Sequence, residues 1–128
     1  MVKVNKIVAV VDDDGSVCRA IKRLLQVAGT GVDTFSGGDS FLRMLSSAPS
    51  YRPACVILDF EMPGINGLEL LRHLAPTGVP VIFITADDDS AVRETALASG
   101  AAGYLQKPFT GAILVKAVEM ALSGVPRP

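Results

Sequence analysis

KIVAVVDDDGSVCRAIKRLLQVAG, residues 6–29, changes its hydrophobic period in the middle. Residues 6–11 are a short apolar run rich in β-branched side chains, the composition of a buried strand. From Val17 onward the pattern is helical: Val17, Ile21, Leu24, Leu25 and Ala28 fall on one face. Asp14 stands where an N-cap belongs, and Gly29 where a helix stops. Between strand and helix lie three aspartates in a row, Asp12, Asp13 and Asp14. Adjacent like charges repel, so this concentration of acid calls for a chemical reason.

The strand-then-helix unit recurs along the chain. VDTF (32–35) alternates apolar and polar residues, and GDSFLRMLSS (38–47) returns to a helical period. ACVILDF (54–60) and VPVIFIT (79–85) are continuous apolar runs, with a short helix between them around Leu68, Leu71 and Leu74. A helix over 90–98 ends at Gly100 and leads into the strand GYLQ (103–106). Ile113, Leu114, Ala117, Val118, Ala121 and Leu122 define a final helix. Five strands alternating with five helices predict an α/β domain on a parallel sheet. Runs 8–11, 56–58 and 81–84 are apolar at every position, as expected where helices cover both faces. Right-handed crossovers then favour the flavodoxin-like (βα)5 doubly wound sheet, strand order 2-1-3-4-5. That order puts VDTF at an edge and makes strands one and three neighbours at the switch point, where ligands bind.

Composition narrows the function classes. With 128 residues, 49% of them hydrophobic, the chain is long enough for one domain with a substantial core. A net charge of −1 with scattered Lys and Arg argues against a dedicated nucleic-acid or anionic-membrane surface. No apolar run reaches the roughly 18 residues of a membrane span. The opening MVKVNKIVAVV faintly resembles a signal peptide, but it lacks a small-residue cleavage site and runs directly into aspartates. Cys18 and Cys55 sit inside apolar segments, which points to buried free thiols and a cytoplasmic location. Neither G-x-x-x-x-G-K-[ST] nor G-x-G-x-x-G occurs, so nucleotide binding has little support. The Gly- and Pro-rich tail SGVPRP (123–128) reads as the beginning of a linker.

Acid and polar groups collect at the carboxyl ends of the predicted strands. Strand one runs into Asp12 and Asp13, and strand three ends in Asp59. Adjacent strands lie about 4.8 Å apart, so these carboxylates share one crevice. They repel unless some are protonated or a cation sits among them; a hard divalent cation on oxygen ligands fits, and Mg2+ fits best because it accepts few protein ligands and retains water. Thr85 closes strand four and Lys107 closes strand five, adding a hydroxyl and an ammonium to the same rim. Nucleophile, cation and oxygen donors are the parts that phosphoryl transfer needs, and carboxylates can serve as the nucleophile.

The segments VVDDD, VILDFEMPGINGLEL, FITA and GYLQKPF, in this order and spacing, resemble the motifs of response-regulator receiver domains of bacterial two-component signalling. The resemblance covers essentially the whole chain and is similar in flavour to the FixJ and NarL type of transcriptional regulator. It implies that Asp59 is the aspartate phosphorylated by a sensor histidine kinase or phosphotransfer protein. Asp13 would bind Mg2+ directly, Asp12 directly or through water, and Glu61 would offer its backbone carbonyl. Thr85 matches the switch hydroxyl, with Ala86 the small residue after it. Lys107 matches the lysine that contacts the phosphoryl group, and Tyr104 the aromatic that moves inward with Thr85. A cis Lys107–Pro108 bond is also implied. Phosphorylation would alter the surface of helix four, strand five and helix five to control an output, with a phosphorylation-dependent homodimer as one route, and the chain would act as a signalling switch limited to its own phosphorylation and dephosphorylation. The receiver would fill 1–123, with 124–128 as tail or linker. Nucleic acid would enter only through an output domain beyond it.

Plainer readings compete at single positions. Alone, a strand-end threonine, a lysine or an edge tyrosine is ordinary, and only joint placement on one rim gives Thr85, Lys107 and Tyr104 a role. His73, the sole histidine, has no histidine partner for metal or phosphohistidine chemistry. Pro63, Gly64 and Gly67 read as turn residues supporting the Asp59 loop. Asp87, Asp88 and Asp89 read as a helix N-cap and solvated acids, though Asp87 and Glu61 could flank the phosphoryl group and tune its lifetime. A rival enzyme class is the haloacid-dehalogenase-like phosphatase, in which DDDGS would supply Asp12 as nucleophile and Asp14 as general acid; it leaves LDFEMPG unexplained and lacks a later acidic cluster. A receiver-like interaction module that takes no phosphate is the third reading, against which stands the full set of acidic, nucleophile and lysine positions.

Overall fold

A computed structural model describes residues 6–86 and 90–123. The elements are β1 (Ile7–Val11), α1 (Gly15–Val27), β2 (Gly31–Phe35), α2 (Gly38–Ser47), β3 (Cys55–Asp59) and α3 (Gly67–Leu74). A 3-10 turn (Ala75–Thr77) then leads to β4 (Val81–Thr85), α4 (Ser90–Ala98), β5 (Gly103–Gln106) and α5 (Gly111–Ser123). All strands pair in parallel, in the order β2-β1-β3-β4-β5 that the alternating periods predict. The register Val8↔Cys55 to Val11↔Leu58 sets the carboxyl ends of β1 and β3 side by side.

Strand parity divides the core into two layers. Val8, Val10, Ile57, Ile82 and Ile84 face Cys18, Ile21 and Leu25 of α1 and Leu114 and Val118 of α5. Ala9, Val11, Val56, Leu58, Val81 and Phe83 face Phe41 of α2, Leu70, Leu71 and Leu74 of α3 and Ala96 of α4. With both faces covered, the central strands have no position for a polar side chain until they end. Each fully buried aliphatic or aromatic side chain stabilises the fold by roughly 1.5–3 kcal/mol, so this two-sided burial anchors the strand ends that carry the acids.

Helix ends follow the local chemistry with some shifts. α1 starts at Gly15, ahead of its first periodic residue, because Asp14 caps it: Asp14 Oδ1 accepts Ser16 N–H at 2.9 Å and the Ser16 hydroxyl at 2.6 Å. Those bonds hold the Asp14 carboxyl below its ordinary 3.8. Asn66 caps α3, its Oδ1 accepting Glu69 N–H at 2.9 Å; Leu70, Leu71 and Leu74 are buried in the core, and Leu68 packs half-buried against it. Gly64 does adopt a left-handed turn conformation, φ +84°. Gly67 differs from the turn reading: it is the first residue of α3, and what it supplies is room. A Cβ there would stand 2.7 Å from Phe83 Cε1 and 3.1 Å from Phe60 Cα.

The two cysteines are free and buried, and desolvation pushes the Cys55 thiol up to about 12, a value that keeps it inert. A cavity of about 470 Å³ lies at the amino ends of β3 and β4, bounded by Leu42, Leu45, Tyr51, Leu74 and Val79 and remote from the acidic rim. Among the described residues no helix is long and apolar enough to cross a membrane. Asp87, Asp88, Asp89 and the tail 124–128 lie outside the described residues.

Candidate functional site

The strand parities that build the core also aim the polar groups. On β1, Val8 and Val10 face α1 and α5, and the next residue of that parity is Asp12. On β3 the series is Cys55, Ile57, Asp59, and on β5 it is Leu105, Lys107. The ladders extend past the formal strand ends, since Asp12 N–H donates to Phe35 O at 3.1 Å and Lys107 N–H to Thr85 O at 2.6 Å. Three chain segments therefore deliver Asp12, Asp59 and Lys107 to one side of the rim.

They meet there. Lys107 Nζ donates to Asp12 Oδ2 at 2.9 Å and lies 3.6 Å from Asp59 Oδ2. Asp13, exposed beside them, completes a group in which one carboxylate oxygen from each of Asp12, Asp13 and Asp59 lies within 4.8 Å of the others. Asp12 is fully buried and doubly anchored, its Oδ1 accepting Asp14 N–H at 2.9 Å. Cys18 Sγ donates to the Asp12 carbonyl at 3.3 Å. The aspartate run thus divides its labour: Asp12 points in, Asp13 lies at the mouth, and Asp14 turns away to cap α1.

Burial raises the Asp59 carboxyl from its ordinary 3.8 to about 6, the neighbouring Asp12 charge pushes the same way, and Lys107 pulls back. Burial alone would lower the Lys107 ammonium, but its bond to Asp12 and the charges of Asp59 and Asp12 outweigh that and hold it above 10.5. Three carboxylates against one ammonium leave two negative charges to be balanced. The donor set is hard oxygen. Mg2+ binds oxygen at about 2.0–2.1 Å, so ligand oxygens on opposite sides of the ion stand about 4 Å apart, close to the spread already present. The residues fit the ion. Glu61 is exposed and its N–H donates to Asp59 Oδ1 at 3.3 Å, tying the loop after β3 to the same carboxylate.

Thr85 occupies the opposite parity. It shares the Val81 and Phe83 face and is itself buried. Pairing of Thr85 with Gln106 and of Phe83 with Tyr104 makes Thr85 and Tyr104 diagonal neighbours on the α4 side. Ile84, the residue before Thr85, is the register partner of Asp59. The Lys107–Pro108 bond is cis, as the resemblance implied. The structure therefore gathers Asp12, Asp13, Asp59 and Lys107 into one cluster and sets Thr85 and Tyr104 just across the sheet. Asp14, the general acid of the phosphatase reading, stands apart with its carboxylate engaged by Ser16. Sequence reasoning missed the anchors of Asp12. The Asp14 amide contact is an Asx-type turn that an aspartate run can signal, whereas Cys18 is signalled by nothing local.

A family model for response regulator receiver domains matches residues 8–119. The DNA-binding response regulator MtrA of Mycolicibacterium paratuberculosis is 38% identical over 116 residues, covering 90% of this chain and 50% of that protein. The response regulator protein TmoT of Ectopseudomonas mendocina is 33% identical over 125 residues, covering 96% of this chain and 56% of that protein. A crystal structure of a response regulator receiver protein from Burkholderia phymatum is 57% identical with a TM-score of 0.84, covering 96% of this chain and 98% of that one. The chain spans about half the length of the curated relatives it matches.

Proposed function

Because this chain belongs to the response regulator receiver domain family, a family of signalling domains, we propose that it accepts a phosphoryl group on Asp59 from a sensor histidine kinase or phosphotransfer protein. The observation that carries the reading is the convergence of Asp12, Asp13 and Asp59 around Lys107. Asp12, Asp13 and Asp59, with the Glu61 carbonyl, would hold Mg2+. When bound, the ion supplies charge neutralisation for the incoming phosphoryl oxygens. Asp59 Oδ attacks phosphorus as the P–N bond of a phosphohistidine breaks, giving an aspartyl phosphate, and the departing imidazole takes up a proton. Lys107, freed from part of its debt to Asp59, stabilises a phosphoryl oxygen.

The placement of Thr85 and Tyr104 across the rim supports a coupled response. A phosphorylated Asp59 adds negative charge and strong acceptors that attract the Thr85 hydroxyl and Lys107. Thr85 withdraws from the α4 side, the Tyr104 ring follows, and the α4–β5–α5 surface changes, favouring a homodimer or an output contact. Residues 1–123 act as the receiver in a cytoplasmic setting, with 124–128 as a tail or the start of a linker. The DNA-binding name of the mycobacterial relative supports a transcriptional output carried elsewhere in the protein. Intact mass spectrometry after acetyl phosphate and Mg2+ tests the assignment. One added phosphoryl group is expected on wild type and none on Asp59→Ala. Equal labelling of both would refute Asp59 as acceptor.

A further inference from the structure

Gly38 and Ile65 are distant in sequence and touch in the fold. Gly38 opens α2 and is buried. A Cβ on it would overlap Ile65 Cγ2, with Ile65 Cβ 3.6 Å away. Next to this contact, Asp39 Oδ2 lies 3.5 Å from where a Cβ on Gly64 would stand. Ile65 belongs to the connection between β3 and α3, and both ends of that connection are tied. At its far end Gly67 N–H donates to Phe60 O at 3.3 Å, and Gly67 is backed closely by Phe83 and Phe60. At its near end Glu61 N–H donates to Asp59 Oδ1. The amino end of α2 is thus a wall against the middle of the loop whose first residues reach the acidic cluster.

We propose that the Gly38–Ile65 contact positions Asp59 and Glu61 for the cation, which makes Gly38 a positioning residue of the metal centre although it lies on α2, outside the cluster. The proposal rests on the Mg2+ reading above. Non-bonded carbons settle about 3.5–4.0 Å apart, so a methyl on Gly38 must turn the half-buried Ile65 side chain out of its rotamer or shift the loop or α2 on the order of 1 Å. Metal–oxygen distances tolerate only about 0.2 Å, far less than that displacement. Helix propensity works in the other direction, because alanine is a better helix former than glycine. A Gly38→Ala change therefore separates the two influences: propensity alone leaves the cation site untouched, whereas the wall disturbs it.

The test titrates MgCl2 by calorimetry into wild type, Gly38→Ala, Ile65→Ala and the double variant, and follows amide exchange of Glu61 in EDTA. Gly38→Ala should weaken Mg2+ binding about 10-fold, the low end of the effect of groups that support ligands, and should speed Glu61 exchange about 10-fold without metal. The double variant should return to within about 2-fold of wild type, because two alanines at these positions meet at ordinary contact distance. Ile65→Ala alone leaves a gap and should weaken binding about 3-fold, which keeps the idea testable if Gly38→Ala does not fold. Wild-type affinity and wild-type Glu61 exchange in Gly38→Ala or in Ile65→Ala would overturn the proposal, as would a double variant no better than Gly38→Ala. Failure of the wild type itself to bind Mg2+ would instead sink the metal reading, and the exchange measurement would still decide the positioning role.

Discussion

Asp59 should make the metal-free protein less stable than it would be with a neutral residue in its place. Its carboxyl is raised from 3.8 to about 6, first by burial and then by Asp12. The folded state therefore holds this proton more tightly than the unfolded chain does. Between about pH 4 and pH 6 the unfolded chain has released the proton while the folded chain retains it, so this group's contribution falls as pH rises and levels off above about 6. At 1.36 kcal/mol per pH unit the ceiling is about 3 kcal/mol. Water at the Asp13 side of the cleft screens part of it, leaving about 1–2 kcal/mol. Asp59→Asn keeps the shape, removes the charge and leaves Lys107 its 2.9 Å bond to Asp12. In EDTA at about pH 7.5 the variant should be more stable by that amount, raising Tm by about 4–8 °C for a domain of this size. The two proteins should converge near pH 4. Urea and thermal unfolding across pH, with and without Mg2+, measure the difference, and Mg2+ should stabilise wild type more than the variant. Equal or lower stability of Asp59→Asn at neutral pH in EDTA, or a difference independent of pH, would refute the electrostatic reasoning.

Other changes test separate parts of the site. Lys107→Ala leaves the buried Asp12 without its ammonium and should destabilise the metal-free protein by about 3–5 kcal/mol, with partial recovery in Mg2+, read by urea unfolding. Asp14→Ala removes only the α1 cap; a modestly lower Tm is expected with Mg2+ affinity and Asp59 labelling unchanged, whereas loss of labelling would revive a chemical role for Asp14. Tyr51→Phe deletes the 3.0 Å bond from the phenol to Asp33 Oδ2 and should lower stability by about 1 kcal/mol without altering Mg2+ binding, checked by unfolding and titration of the same preparation.

Much of this protein is written locally in the chain. Continuous apolar runs, helical spacing from Val17 and the stops at Gly29 and Gly100 are short-range signals, and they were enough to predict five βα units and the strand order. The same signals located the acids at strand ends, because an apolar strand buried on both faces can carry charge only where it emerges. Which side each group then faces is a matter of parity counted along strands far apart in sequence. Only pairing and register placed Lys107 2.9 Å from Asp12 and left Thr85 on the other face with Tyr104. Tertiary packing likewise decided that Gly67 provides room beside Phe83, that Cys18 braces Asp12, and that Gly38 bears on Ile65. Periodicity records which residues avoid water, a property each segment expresses alone; which atoms touch depends on how layers close over one another, and that depends on every segment together.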